Sequence, residues 1–148
     1  VTGGGLDPVL ATLKRLKQFG VWTEIVHLTI PTLNDDDHGF REMASWLMGE
    51  LGPDVPVHFT RFHPTYRLTD LPVTPVGTLE RARDILIGAG MRYVYVGNVP
   101  GHPGESTWCP ECGACVIQRG RGYMVGSVAL KDGACTGCGA SIAGVWKL

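Results

Sequence analysis

Apolar residues recur at helical spacing in three places along the chain, and each stretch carries its own start and stop signals. Val9, Leu10, Leu13 and Leu16 form the first stripe, with Asp7 placed to cap a helix whose first position is Pro8 and Gly20 placed to end it. The acidic run Asp35–Asp37 precedes the second stripe, Phe40, Met43, Ala44, Leu47 and Leu51, which Gly52 and Pro53 close. Thr74 and Pro75 open the third, Val76, Leu79, Ala82, Leu86 and Ala89, before Gly90. Between the helices lie "VWTEIVHLTI" (21–30), "VPVHFTRF" (55–62) and "MRYVYVG" (91–97), rich in β-branched and aromatic residues. Mostly apolar runs without strict alternation suit strands covered on both faces, as in a parallel sheet.

Helix–strand order repeated three times predicts an α/β fold with right-handed crossovers. Three strands close a core poorly, whereas an α/β barrel needs eight, or about six when incomplete. The expectation is half of such a barrel over residues 1–100. The chain opens at Val1 in a glycine-rich "VTGGG", as a piece cut from something longer would.

Beyond Gly97 the texture changes. Residues 101–148 are rich in Gly and Cys and lack helical periodicity, and "PGHPGES" (100–106) marks the boundary. "CVIQRGRGYMVG" and "ASIAGVWKL" read as short strands beside two knuckles, Cys109-Pro-Glu-Cys112-Gly and Cys135-Thr-Gly-Cys138-Gly. Two residues between thiolates let one tight turn aim both sulfurs at a single metal, and the following glycine admits backbone amides toward them. The 22 residues between the pairs leave room for a small hairpin. Cys109, Cys112, Cys135 and Cys138 are thus the candidate ligands of a structural zinc-ribbon-like site, since four protein ligands leave no open position. A rubredoxin-like iron centre uses the same knuckles, and unligated thiols or disulfides are the bland alternative. A module of about forty residues has too little core to hold without a staple. Cys115 is left over, read as a small residue on the ribbon's first strand.

Charge and hydropathy narrow the partners. Thirteen basic against fourteen acidic residues, without a basic run, argue against nucleic acid and anionic membrane. No apolar run approaches the roughly 20 residues of a membrane helix, and cysteines in CxxC pairs fit a reducing compartment, so the expected location is the cytoplasm.

In α/β barrels, function sits at the C-terminal ends of strands. Asn34, Arg61, His63, Tyr66, Arg67, Asn98 and His102 gather there. Pro64 forces the chain out of the strand behind His63. Within the first strand run, Glu24 and His27 interrupt apolar residues, and a charge inside a strand is rare unless paired or facing a polar pocket. Asp35–Asp37 reads as a helix cap, not a metal site.

"GVWTEIVHLTIPTLND", "VPVHFTRFHPTYRLTDLPVTPVGTLERAR", "MRYVYVGNVPGH" and "WCPECG" resemble the C-terminal half of the AmmeMemoRadiSam-system radical SAM enzymes, relatives of the pyruvate formate-lyase activating enzymes. The resemblance implies an incomplete (β/α)6 barrel that binds S-adenosylmethionine and a [4Fe–4S] cluster and cleaves the former reductively to a 5′-deoxyadenosyl radical. It implies that His63, in "TRFHP", helps bind S-adenosylmethionine. By position alone, Asn34 and Asn98 at neighbouring strand ends are expected as weaker cofactor contacts, and Glu24 as a further one unless it is a strand-start carboxylate near solvent. The family's C-x-x-x-C-x-x-C cluster motif is absent, His27 stands where relatives more often carry a small hydroxyl residue, and Thr32 replaces the glycine of a "PG" turn. The expected activity therefore belongs to the full-length parent, with the missing N-terminal half of the barrel as the partner and a substrate of unknown identity. The alternative is a standalone zinc-ribbon module that binds a protein or nucleic acid. Against nucleic acid stands the ribbon's short list of basic residues, Arg119, Arg121, Lys131 and Lys147.

Overall fold

The computed structural model describes residues 3–120 and 124–146. Three helices alternate with three strands: α1 (Leu6–Gln18), β1 (Ile25–Thr29), α2 (Asp37–Glu50), β2 (Val57–Arg61), α3 (Val76–Gly88) and β3 (Val94–Gly97). The strands pair in parallel in the order β1-β2-β3, with Ile25 beside Val57 and Val57 beside Val94. Neighbouring strands are thus consecutive in sequence, each crossover being a helix.

The predicted stops hold at all three helices. Gly20, Gly52 and Gly90 take φ of 66°, 82° and 105°, a left-handed turn that ends a helix without a Cβ clash. The start of α2 is also as expected, since the Asp36 carboxylate accepts from the Gly39 amide at 2.9 Å. The start of α1 is corrected: the helix begins at Leu6 behind Gly5, and Asp7 lies inside its first turn and caps nothing. There its charge still complements the N-terminal end of the helix dipole. The first strand is shorter than its apolar run. The Val21 amide returns to the Leu16 carbonyl, so the chain joins the sheet only at Ile25.

One face of the sheet carries the core. Phe40, Ala44 and Leu47 of α2 and Leu79, Ala82 and Leu86 of α3 pack on Val57, Phe59, Val94 and Val96. His27 belongs to this face, edge-on to Phe59 at 5.3 Å and to Phe40 at 6.1 Å, with Nδ1 at 3.1 Å from Thr29 Oγ1. The opposite face of β1 is open: Val26 is 67% exposed and Leu28 46%. The first helix buries none of its residues, and Leu6 and Val9 on its apolar side are exposed.

After β3 a 3-10 turn (Pro103–Glu105) leads into β4 (Thr107–Trp108), β5 (Cys115–Arg119) and β6 (Val125–Val128), which form an antiparallel three-stranded sheet. A small hairpin, β7 (Leu130–Lys131) and β8 (Ala134–Cys135), follows. Of the expected strand over 115–126, residues 121–123 lie outside the described residues, and the flanking parts pair as β5 and β6. The expected strand at 140–148 is not found over 140–146, which make only the bridge Ala134–Ser141; residues 147 and 148 lie outside the described residues. The knuckle itself uses up this pairing, because the Cys135 amide bonds Ala140 and the Ile142 amide bonds Gly133.

The cysteine module shares its core with the sheet. Tyr93 and Tyr95 bury against Cys109, Val116, Cys135 and Ile142, and the Tyr93 hydroxyl accepts from the Ala143 amide at 3.1 Å. The boundary near 100–106 separates two textures of sequence across which packing is continuous. No helix among the described residues is long and apolar enough to cross a membrane.

Candidate functional site

Both knuckles are built the same way. In the first, the Gly113 amide bonds the Cys109 carbonyl and the Cys109 amide bonds Ala114; in the second, Gly139 bonds Cys135 and Cys135 bonds Ala140. The closing glycines stand at φ 71° and 78°, where a side chain would be strained, so C-x-x-C-G is a geometric requirement here. Each loop brings one buried cysteine, Cys109 or Cys135, and one exposed cysteine, Cys112 or Cys138.

The four sulfurs lie within 4.8 Å of one another. Cys109 is 3.6 Å from Cys138 and Cys112 is 3.8 Å from Cys135, so the close contacts run between the knuckles. A tetrahedral thiolate centre with metal–sulfur bonds of about 2.3 Å has edges of about 3.8 Å, which these separations fit. The donor set is four soft thiolates with no water position, suited to a structural ion. The backbone amide of Cys112 chiefly holds the Cys109 thiol down to about 7. At Cys138 the Ala140 amide acts in the same direction, but the neighbouring sulfurs of Cys112 and Cys109 outweigh it and push that thiol up to about 12. Four thiols this close cannot all lose their protons without a cation among them. Cys115 opens β5 beside Trp108 and stays outside the cluster.

The strand ends are arranged differently. Asn98 ties β3 to β2: its Oδ1 accepts from the Arg61 amide at 2.7 Å and its Nδ2 donates to the Arg61 carbonyl at 2.9 Å. Asn34 closes the end of β1, accepting from the Ile30 amide at 2.6 Å and donating to the Leu28 carbonyl at 3.0 Å. Both amides are therefore engaged with backbone, which gives these candidates a latching role irrespective of any ligand. Arg61 donates from Nε to the Thr74 carbonyl at 2.8 Å. Thr74 itself is buried, donating to the Thr29 carbonyl at 2.5 Å and accepting from the Phe62 amide at 2.9 Å. In the sequence Thr74 reads only as a helix opener, and its place between two strand ends has no local signature.

His63 is exposed directly beyond Phe62, and its ring makes no hydrogen bond to another described residue. Tyr66, at φ 51°, holds Arg67 over its ring at 5.2 Å, and His102 is turned to Glu80 at 3.0 Å on α3. Glu24 is not brought together with these groups. It precedes β1, at the opposite end of the sheet, where its carboxylate meets His58 Nε2 at 2.8 Å and Trp22 Nε1 at 3.1 Å. The pairing answers why a charge interrupts that apolar run. The acidic run is structural: Asp35 accepts from the Thr32 amide, Asp36 caps α2 and Asp37 pairs with Arg81 at 2.7 Å.

No family model matches the chain. It is 50% identical over 114 residues to an uncharacterized protein of Methanocaldococcus jannaschii, a stretch covering 77% of this chain and 34% of that protein. The chain spans about a third of the length of the curated relative it matches.

Proposed function

We propose that this chain is the C-terminal portion of a radical SAM enzyme, three βα units of an incomplete (β/α)6 barrel followed by a structural zinc ribbon. The observation that carries this reading is the winding of the sheet. Three parallel strands run in consecutive order, and α2 and α3 cover one face. On the other face no helix among the described residues packs, the ribbon covers Tyr93 and Tyr95 on the β3 side, and Val26 and Leu28 of β1 are exposed. A doubly wound sheet places helices on both faces, whereas a barrel places them all outside and turns the bare face inward. Agreement with only a third of a longer relative is in keeping with further strands elsewhere in the parent.

Within this reading the residues divide by task. Cys109, Cys112, Cys135 and Cys138 hold zinc, favoured over iron because a closed thiolate site that staples a small module needs no redox change. All five cysteines of the chain lie between 109 and 138, and the ribbon's knuckles use four of them, so the [4Fe–4S] cluster takes its ligands from the preceding part of the parent. His63, at a strand end with no hydrogen bond to another described residue, is the chain's contribution to S-adenosylmethionine binding. Glu24 lies at the other end of the strands and contributes through the interior face, by way of its contact with His58. The core that the ribbon shares with Tyr93 and Tyr95 weighs against a free-standing binding module.

The test uses the full-length parent, purified without oxygen, with its cluster reconstituted and a strong reductant supplied. Formation of 5′-deoxyadenosine from S-adenosylmethionine is the expected result. A parent without an upstream C-x-x-x-C-x-x-C, or one that forms no 5′-deoxyadenosine with an intact cluster, contradicts the reading. In the same protein His63→Ala should weaken S-adenosylmethionine binding by one lost hydrogen bond, on the order of 1–3 kcal/mol or roughly ten- to a hundredfold. Equal affinities at equal cluster and zinc content return His63 to an ordinary loop residue.

A further inference from the structure

We propose that Glu24 and His58 form an acid–base pair for a ligand lying on the β1 side of the sheet's second face, the part the ribbon leaves uncovered, a polar site separate from the cysteine centre and from His63. The inference rests on these side chains and their surroundings, not on the radical SAM reading.

Val26, His58 and Tyr95 stand side by side across β1, β2 and β3 on the face away from α2 and α3. Glu24 reaches His58 from the start of β1, one carboxylate oxygen on Nε2 at 2.8 Å and the other on the Trp22 indole at 3.1 Å. Both oxygens are thereby fixed. The imidazole is fixed from a second direction by stacking on Tyr95, centroid to centroid 4.7 Å at 15°. Tyr95 is held in turn, its hydroxyl 3.0 Å from Thr107 Oγ1 and the Arg119 guanidinium over its ring at 5.6 Å.

A carboxylate on Nε2 selects the tautomer with its proton there and leaves the lone pair on Nδ1. That nitrogen makes no hydrogen bond to another described residue, and the His58 side chain keeps 29% of its surface exposed. A held imidazole with one nitrogen on a carboxylate and the other facing outward is the arrangement of a general base. An ion pair this exposed adds little to stability, which makes stability a poor reason for its organisation.

The surroundings set the ligand class. Val26 and Leu28, both exposed, flank the pair on the same face, so the site takes an apolar body bearing one dissociable O–H or N–H. On transfer the ligand's O–H or N–H bond breaks, an Nδ1–H bond forms, and the imidazolium is stabilised by the Glu24 carboxylate. The reverse step returns the proton to the ligand or to water.

The probe is diethyl pyrocarbonate, which acylates an unprotonated imidazole with loss of carbon dioxide and ethanol. The metal-loaded chain in dilute neutral solution is modified for graded times, and each histidine is followed by peptide mass spectrometry. The expected result is acylation of His58 several-fold faster than of His38, which is more exposed and whose contact with Glu42 at the helix surface, 3.4 Å, is longer than the 2.8 Å between His58 and Glu24. Glu24→Gln should bring His58 down to the rate of His38 and leave His38 and His63 unchanged. A His58 no faster than His38 in the unaltered chain, which involves no substitution that could unfold it, overturns the proposal. So does a His58 rate that Glu24→Gln leaves as it was.

Discussion

At the residue scale, several side chains stand in for backbone that the strands cannot pair. Thr74 satisfies the Thr29 carbonyl and the Phe62 amide from inside the core, and Thr74→Val keeps the volume but orphans both groups. That should cost roughly 1–3 kcal/mol, read as a lower denaturant midpoint at unchanged slope. Thr32 presents the opposite case. It takes φ 67°, a conformation that favours glycine, with the Asp35 carboxylate on its amide. A β-branched residue there is strained by roughly 1–2 kcal/mol, partly offset by the entropy a glycine would lose on folding. Thr32→Gly should therefore stabilise the chain by a few tenths to about 1 kcal/mol, and a loss of stability would show that the turn is not strained.

His27 supplies a pH dependence whose sign follows from its place in the core. Burial holds its pKa below the ordinary 6.5, so the folded state resists protonation more than the unfolded chain does. The contribution is whole above 6.5 and is lost as pH falls through that value toward the lower folded pKa. Unfolding midpoints measured from about pH 8 down to about pH 5 should fall more steeply for the unaltered chain than for His27→Phe. Equal slopes would place the imidazole in a wetter setting than its two aromatic neighbours suggest.

At the scale of elements, helices and their stops were legible because periodicity and glycine act locally. Gly20, Gly52 and Gly90 each end a helix in the left-handed turn their positions imply. The cysteine knuckles were legible for the same reason, since one C-x-x-C-G loop fixes its own geometry. Asn34, Asn98 and Glu24 stand out in the sequence as polar residues at strand ends or in apolar company, but their partners do not. Arg61 and His58, the partners of Asn98 and Glu24, depend on which strands meet and in what register, whereas Leu28 and Ile30 lie within six residues of Asn34 and follow from how the chain turns after β1. His58, one histidine in a mostly apolar strand, carries no signal until Glu24 is known to face it. The end of the chain misled for a further reason: "ASIAGVWKL" has strand composition, yet the second knuckle spends its hydrogen bonds on a turn.

At the scale of the whole molecule, the sheet offers β1 as an edge and an apolar face beside it, and α1 leaves Leu6 and Val9 uncovered. Such edges and patches invite association. The chain made alone should self-associate, with sedimentation or light scattering showing mass that rises with concentration. A monomer at all concentrations would mean that these surfaces do not await a covering segment.

The ribbon should respond to metal differently from the helical layer. Its own core is small, whereas α2 and α3 pack on the sheet through residues that do not touch the knuckles. Removing metal with a chelator should abolish the ribbon's signals and the burial of Tyr93 and Tyr95 while most helical circular dichroism remains. The most direct measurement of the central claim, that four cysteines hold one ion which fastens this module to the sheet, is metal content per chain in the unaltered protein, Cys112→Ser and Cys115→Ser. The account predicts one divalent ion, most of it zinc, in the unaltered protein and in Cys115→Ser, and its loss in Cys112→Ser. Absence of metal from the unaltered protein, or loss of it in Cys115→Ser, would contradict the account.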